Sequence, residues 1–308
     1  QREKKFPSAS GLGDCRVRLW IPDEVRGAVQ LTHGLAEHID RYEDFARYLA
    51  DCGFLVYGMD CLGHGGSGKS GAPAGYFGEQ NGWDHLISDI GALRKLVQAD
   101  YPALPFVLLG QGFGSLLVRS YAARTGGGFQ GYILAGTSGA SWGYRRGKRQ
   151  AEREIKKGQG MAPCEKLYRK LTAGYNKSFS LPRTSCDWLS RDTEAVDRYL
   201  GDPLCGFAPT AYGLRDYYDG LLEISNKRWA QRMPKRPVFL LSGARDPVGR
   251  NSKGVLQVEK WLRKSGHRVL SKLYPQGRHE MLHETNKQEV YDDILLFLEA
   301  IALSGERE

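Results

Sequence analysis

The sequence has no apolar run long enough to cross a bilayer. Its best candidate, "ILLFLEAIAL" near the C-terminus, is interrupted by Glu299 and falls far short of the roughly 20 residues a spanning helix needs. The opening residues, "QREKKFPSASG", carry charge without the apolar core of a secretory signal, so a cytoplasmic location is expected. Cysteines are few and scattered: Cys15, Cys52, Cys61, Cys164, Cys186 and Cys205 form no C-x-x-C pair, which excludes a zinc-ribbon or dithiol signature and predicts reduced, structural thiols. "GHGGSG" at 63–68 is rich in glycine but lacks the Lys-Ser/Thr of a phosphate loop, and reads as a strand-to-helix loop near a pocket. No pattern calls for a metal, nucleotide or organic cofactor. Neither a repeat nor a low-complexity tract interrupts the chain.

What remains is an ordinary globular composition, 41% hydrophobic and 26% charged over 308 residues, enough for one large core with an insertion. Strand-like and helix-like segments alternate. "CRVRLWIP", "GAVQLTHG", "GFLVYGMD", "PFVLLG" and "GYILAG" read as strands, with helices expected over 42–51, 83–101 and 114–124. Continuous apolar strands separated by amphipathic helices predict an α/β fold with a parallel sheet covered on both faces. The alternation stops near Ser138 and resumes at "PVFLLSGARDPVG", followed by a helix at 255–265, the strand "RVLSKLYP" and a final helix at 289–303. The division expected is a core of 1–138 and 211–308, with a helical cap inserted at 139–210.

In open parallel sheets ligands bind beyond the carboxyl ends of the strands, and three such ends carry chemistry. After "FVLLG" comes Gly110-Gln111-Gly112-Phe113-Gly114, a G-x-?-x-G frame whose centre is where a nucleophile would stand. After "VFLLSG" comes Asp246, and after "VLSKLYP" comes His279. Nucleophile position, acid and histidine follow the chain order of a hydrolase triad, in which an imidazole takes a hydroxyl proton and a carboxylate fixes its tautomer. A fourth part, "LTHGLAEH", follows an early strand. Its Leu35 and the post-nucleophile Phe113 are candidate backbone donors for an oxyanion.

Taken together, "LTHGLAEHIDRYEDFARYLADCGFLVYGMDCLGHGGSGKS", "GYFGEQNGWDHLISDI" and "SGARDPVG…GRHEMLHE", with "DWLSRD" and "DPLCGF", resemble the monoacylglycerol lipase and lysophospholipase branch of the α/β-hydrolases, also labelled serine aminopeptidase S33 or hydrolase-4. The resemblance implies an eight-stranded, mostly parallel sheet with a helical cap. It also implies hydrolysis of carboxylic esters with an acyl chain, with Asp246 as acid, His279 as base, and Leu35 and Phe113 as oxyanion donors. The sequence departs from that pattern at Gly112, where the family has serine, at Gln111, where many members have histidine, and at Cys61-Leu62, where relatives often carry His-Arg.

Glycine at the turn relieves backbone strain and removes the hydroxyl, so at most weak ester hydrolysis is expected. Ser115 lies one helical turn away and Cys61 on another segment; neither is placed to replace it. Three readings stay open: an ester hydrolase whose nucleophile is replaced, a natural pseudoenzyme binding a small apolar ligand, and an amide- or peptide-cleaving relative. The basic run "YRRGKRQAEREIKKGQG" at 144–160 reads first as a solvated helix face, and second as a lip for an anionic membrane surface or acidic substrate. No nucleic-acid motif accompanies it, and oligomeric state is not legible.

Overall fold

The computed structural model describes residues 1–179 and 181–305; residue 180 of the expected cap and residues 306–308 of the expected core lie outside them. Eight strands form one sheet: β1 (Arg2–Pro7), β2 (Asp14–Trp20), β3 (Gly27–Thr32), β4 (Phe54–Met59), β5 (Phe106–Gln111), β6 (Gly131–Ala135), β7 (Val238–Gly243) and β8 (Val269–Tyr274). Their order is β1-β2-β4-β3-β5-β6-β7-β8. β1 with β2 and β2 with β4 pair antiparallel, and every later neighbour is parallel.

Among the described residues ten α-helices connect and cover the strands: α1 (Glu43–Asp51), α2 (Gly82–Asp100), α3 (Phe113–Thr125), α4 (Gly143–Lys156), α5 (Glu165–Thr172), α6 (Thr193–Gly201), α7 (Ala211–Glu223), α8 (Arg228–Arg232), α9 (Lys253–Lys264) and α10 (Lys287–Gly305). The apolar strands divide their side chains between two layers, as the two-residue period of a strand requires. Phe106 and Leu108 of β5 join the core beneath α2, α3 and α7. Val107 and Leu109 join the opposite core, with Phe45 of α1 and Ile294 of α10.

β1 is absent from the strands the sequence pattern marks, and its composition explains why. In "REKKFP" only Phe6 is buried, because an edge strand needs one apolar anchor and gains from charge that discourages further pairing. α7 and α8 fall in the stretch between Ser138 and β7 that reads as helices and loops without individual bounds. Among the described residues between β6 and β7 there is no strand of the sheet; α4, α5, a short 3-10 turn at Tyr175–Ser178 and α6 lie there, followed by α7, which packs on α4. All six cysteines are free. Among the described residues no helix is long and apolar enough to cross a membrane.

Candidate active site

A single residue separates the end of β5 at Gln111 from the start of α3 at Phe113. The backbone therefore turns from strand to helix at Gly112, with φ +53° and ψ −114°, a region that side-chain-bearing residues rarely occupy. The Gly112 N–H donates to Ala135 O at 2.9 Å and its carbonyl accepts from Ser115 N at 3.0 Å. Gly114 lets α3 sit directly on β3, since a Cβ there would overlap the Thr32 carbonyl. A Cβ built on Gly112 would lie 2.8 Å from His279 Nε2, so the central position of the turn faces the imidazole.

His279 and Asp246 meet as the chain order predicts. The Asp246 Oδ2 accepts from His279 Nδ1 at 3.0 Å, leaving Nε2 directed at Gly112. Asp246 is fully buried and held by Ser242 Oγ at 3.2 Å and Val248 N–H at 2.8 Å. Burial favours neutral His279, but the adjoining Asp246 carboxylate outweighs it and lifts the imidazole above its ordinary pKa of 6.5.

Leu35 and Phe113 lie on the same cavity wall as Gly112 and His279. Phe113 opens α3, so no carbonyl within the helix lies one turn back for its N–H. The turn before Leu35 is fixed on both sides. His33 donates from Nδ1 to Gly34 O at 2.7 Å while its Nε2 accepts from Cys61 N–H at 2.9 Å, and burial holds this ring below its ordinary pKa. On the other side Glu37 Oε1 accepts from the Gly34 N–H and from Tyr42 OH at 2.7 Å.

Sequence reading assigned no role to Glu37, Arg41 or Glu280, yet they form a buried ion network beside the turn. Arg41 donates to Glu37 and to both oxygens of Glu280, at 2.9 and 2.6 Å. Burial opposes charge on Glu280, and Arg41 more than offsets it, holding the carboxyl below its usual range. Trp188 was also unassigned. Its ring stands 5.3 Å from that of His279, and its carbonyl accepts the His279 N–H at 3.3 Å. The surrounding "DWLSRD" segment is tied to the histidine loop by Ser190 Oγ to His283 O at 2.8 Å, Arg191 Nε to Glu284 at 2.9 Å and Arg278 Nη1 to Ser190 O at 3.0 Å. Spacing offers no signal for such pairings, because each joins residues about 90 positions apart.

The enclosed space is small, about 50 Å³, and is walled on the helical side by Tyr168, Leu171, Tyr175, Trp188 and Tyr199. Ser115 does not open into it as a free nucleophile; its Oγ donates to Gly112 O at 2.5 Å. Burial pushes the Cys61 thiol well above its ordinary pKa, so it is not a thiolate. The "GHGGSG" loop lies behind the wall, with His64 stacked on Phe113 at 5.9 Å. Among the described residues one group has metal-ligand chemistry: His38, Asp202 and Cys205 bring ligand atoms within 4.8 Å of one another, and His38 Nε2 already bonds Asp202 Oδ2 at 2.7 Å.

The family described as serine aminopeptidase, S33, matches residues 23–286. The chain belongs to that family. This S33-family hydrolase is 27% identical over 296 residues to the monoacylglycerol lipase of Mycolicibacterium smegmatis, a match covering 93% of this chain and 94% of the relative. Human monoglyceride lipase is 28% identical over 271 residues, covering 87% and 80%. Among solved structures, a highly thermostable carboxyl esterase from Bacillus coagulans, in complex with glycerol, superposes with a TM-score of 0.89 at 30% identity, covering 98% of each chain. The eight-stranded sheet of this S33 member is thus that of the α/β-hydrolases.

Proposed function

We propose that this chain is built for carboxylic-ester hydrolysis of the monoacylglycerol-lipase type and, with glycine at position 112, binds such esters without ordinary turnover. The observation that carries this reading is the convergence of Asp246, His279 and the Gly112 turn, with the Cβ direction of residue 112 aimed at His279 Nε2. With serine at 112, the imidazole would take the hydroxyl proton as oxygen attacks the ester carbonyl. Leu35 and Phe113 would donate to the developing oxyanion. The protonated imidazole, stabilised by Asp246, would then pass its proton to the leaving alcohol. Water repeats the sequence to release the acid. The names of the lipase and esterase relatives support an ester with an acyl chain as substrate.

Without that hydroxyl no acyl-enzyme forms. The 2.8 Å approach of His279 to the absent Cβ also favours a second reading, in which the site is settled around glycine and serves binding alone. The test is Gly112→Ser assayed on monoacylglycerols, lysophospholipids and aminoacyl-arylamides. Ester turnover that a fluorophosphonate abolishes upholds the first reading. Silence on every substrate sustains the binding reading, and preferential arylamide cleavage makes the enzyme an amidase.

A further inference from the structure

A second cavity adjoins the first. It opens between α4, α5 and the loop after β7, measures about 440 Å³, and shares Leu171, Tyr175 and Val248 with the wall of the catalytic space. Those three side chains face both spaces. Its charged lining is of one sign: Arg146, Lys170 and Arg250 are present, and no aspartate or glutamate is. Among the described residues none of the three forms an ion pair; Arg250 reaches only Gln257 Oε1, at 3.4 Å. The wall of the first space also holds Glu37 and Glu280, whose carboxylates are both bonded to Arg41.

The surroundings reinforce this polarity. Residues 139–179 hold eleven Lys and Arg against three Glu, so this stretch carries +8 of the chain's net +9. Charge concentrated beside a cleft raises the local concentration of oppositely charged ligands. Unpaired cations at the cavity itself add contacts that a distributed field does not supply.

We infer that this vestibule is a subsite for a negatively charged group, so that the substrates accepted are esters bearing a carboxylate or phosphate at the end that enters it. The inference rests on the ester reading of the adjoining site. A bound ester spans the shared layer, with its carbonyl at the Gly112 turn and its anion beside Arg146, Lys170 and Arg250. Displacement of Leu171 and Tyr175 joins the two spaces.

Because the chain with Gly112 retains uncleaved esters, binding is read directly by calorimetry on the protein as it stands. Two matched pairs serve: ethyl hydrogen adipate against diethyl adipate, and 1-butyrylglycerol 3-phosphate against 1-butyrylglycerol. At about 20 mM ionic strength the anionic member of at least one pair binds about five- to tenfold more tightly, and the advantage shrinks at about 300 mM salt. Whichever pair shows it identifies the anion as carboxylate or phosphate. The preference disappears in Arg146→Ala/Lys170→Ala/Arg250→Ala. It persists in Arg145→Ala/Arg149→Ala/Lys156→Ala, which removes equal charge from α4 outside the vestibule. Equal affinity within both pairs overturns the subsite while leaving the ester reading intact, as does a preference that survives the first triple variant or vanishes equally in the second. Failure of all four compounds to bind overturns the ester reading itself.

Discussion

Placing serine at position 112 should both weaken the fold and awaken the site, and the structure sets the size of the first effect. The φ of +53° costs a side-chain-bearing residue about 1–3 kcal/mol, and the new Cβ meets His279 Nε2 at 2.8 Å. Relief requires the ring to retreat by roughly 0.5 Å to an ordinary carbon–nitrogen contact, while Nδ1 keeps its bond to Asp246. Unfolding entropy of about 2.1 cal/mol/K per residue makes each kcal/mol worth roughly 1.5 °C in a chain of this length, so Tm falls by about 1.5–5 °C. Gly112→Ala carries the same strain without a hydroxyl and should lose the same Tm. Only the serine variant should gain ester turnover, by a factor of about 10⁴ to 10⁶. Differential scanning calorimetry and a p-nitrophenyl ester assay read the two effects separately. If Gly112→Ser leaves Tm unchanged, or if Gly112→Ala gains as much activity as Gly112→Ser, the reasoning from backbone strain and a missing nucleophile is wrong.

Asp246→Asn removes the charge that lifts His279, leaving burial to dominate, so the imidazole pKa drops below 6.5; an NMR titration of the ring showing no fall would contradict this. Because His279 in the native chain is raised above its unfolded value, its contribution to stability is complete below about pH 6.5 and is lost as pH climbs through the raised pKa. Burial acts in the opposite sense on His33, on His64, pushed down to about 3, and on His283, pushed down to about 4. Their contribution is complete above pH 6.5 and is lost as pH falls toward those values, each at up to about 1.4 kcal/mol per pH unit, which denaturant titrations at pH 7, 5 and 4 measure. Glu37→Ala strips Arg41 of one buried partner and Gly34 of its acceptor. It should cost about 3–5 kcal/mol, and a loss below 1 kcal/mol by urea titration would show that the network matters little.

The sheet and the residues that meet at the Gly112 turn were largely legible because each left a local mark. Seven strands are apolar or alternating segments, and Asp246 and His279 follow two of them, beyond the carboxyl ends where ligands of such sheets bind. β1 left no such mark, since an edge strand anchored by Phe6 alone resembles a charged terminus. Glu37 sits in "LTHGLAEH" and Arg41 just beyond it, but their partnership with Glu280 exists only after the histidine loop folds back on them. Trp188 looks in sequence like any packing aromatic. The Gly112 conformation was anticipated from its frame, whereas the closeness of His279 could come only from coordinates.

The unequal fastening of the roof over the catalytic space fixes where a substrate can come in. A volume of about 50 Å³ accommodates little more than a water or two, so part of that roof has to lift. The stretch around Trp188 is a poor hinge, because it is riveted to the backbone of His279 and Glu280 and raising it would pull the imidazole off its mark. Tyr168, Leu171 and Tyr175 line the other side without hydrogen bonds to that loop, the Tyr175 ring touching it only through Trp188, 4.8 Å away. Entry from the side facing Arg146 and Lys170 would leave the hydrogen bonds of Trp188 and Leu189 to the His279 loop intact.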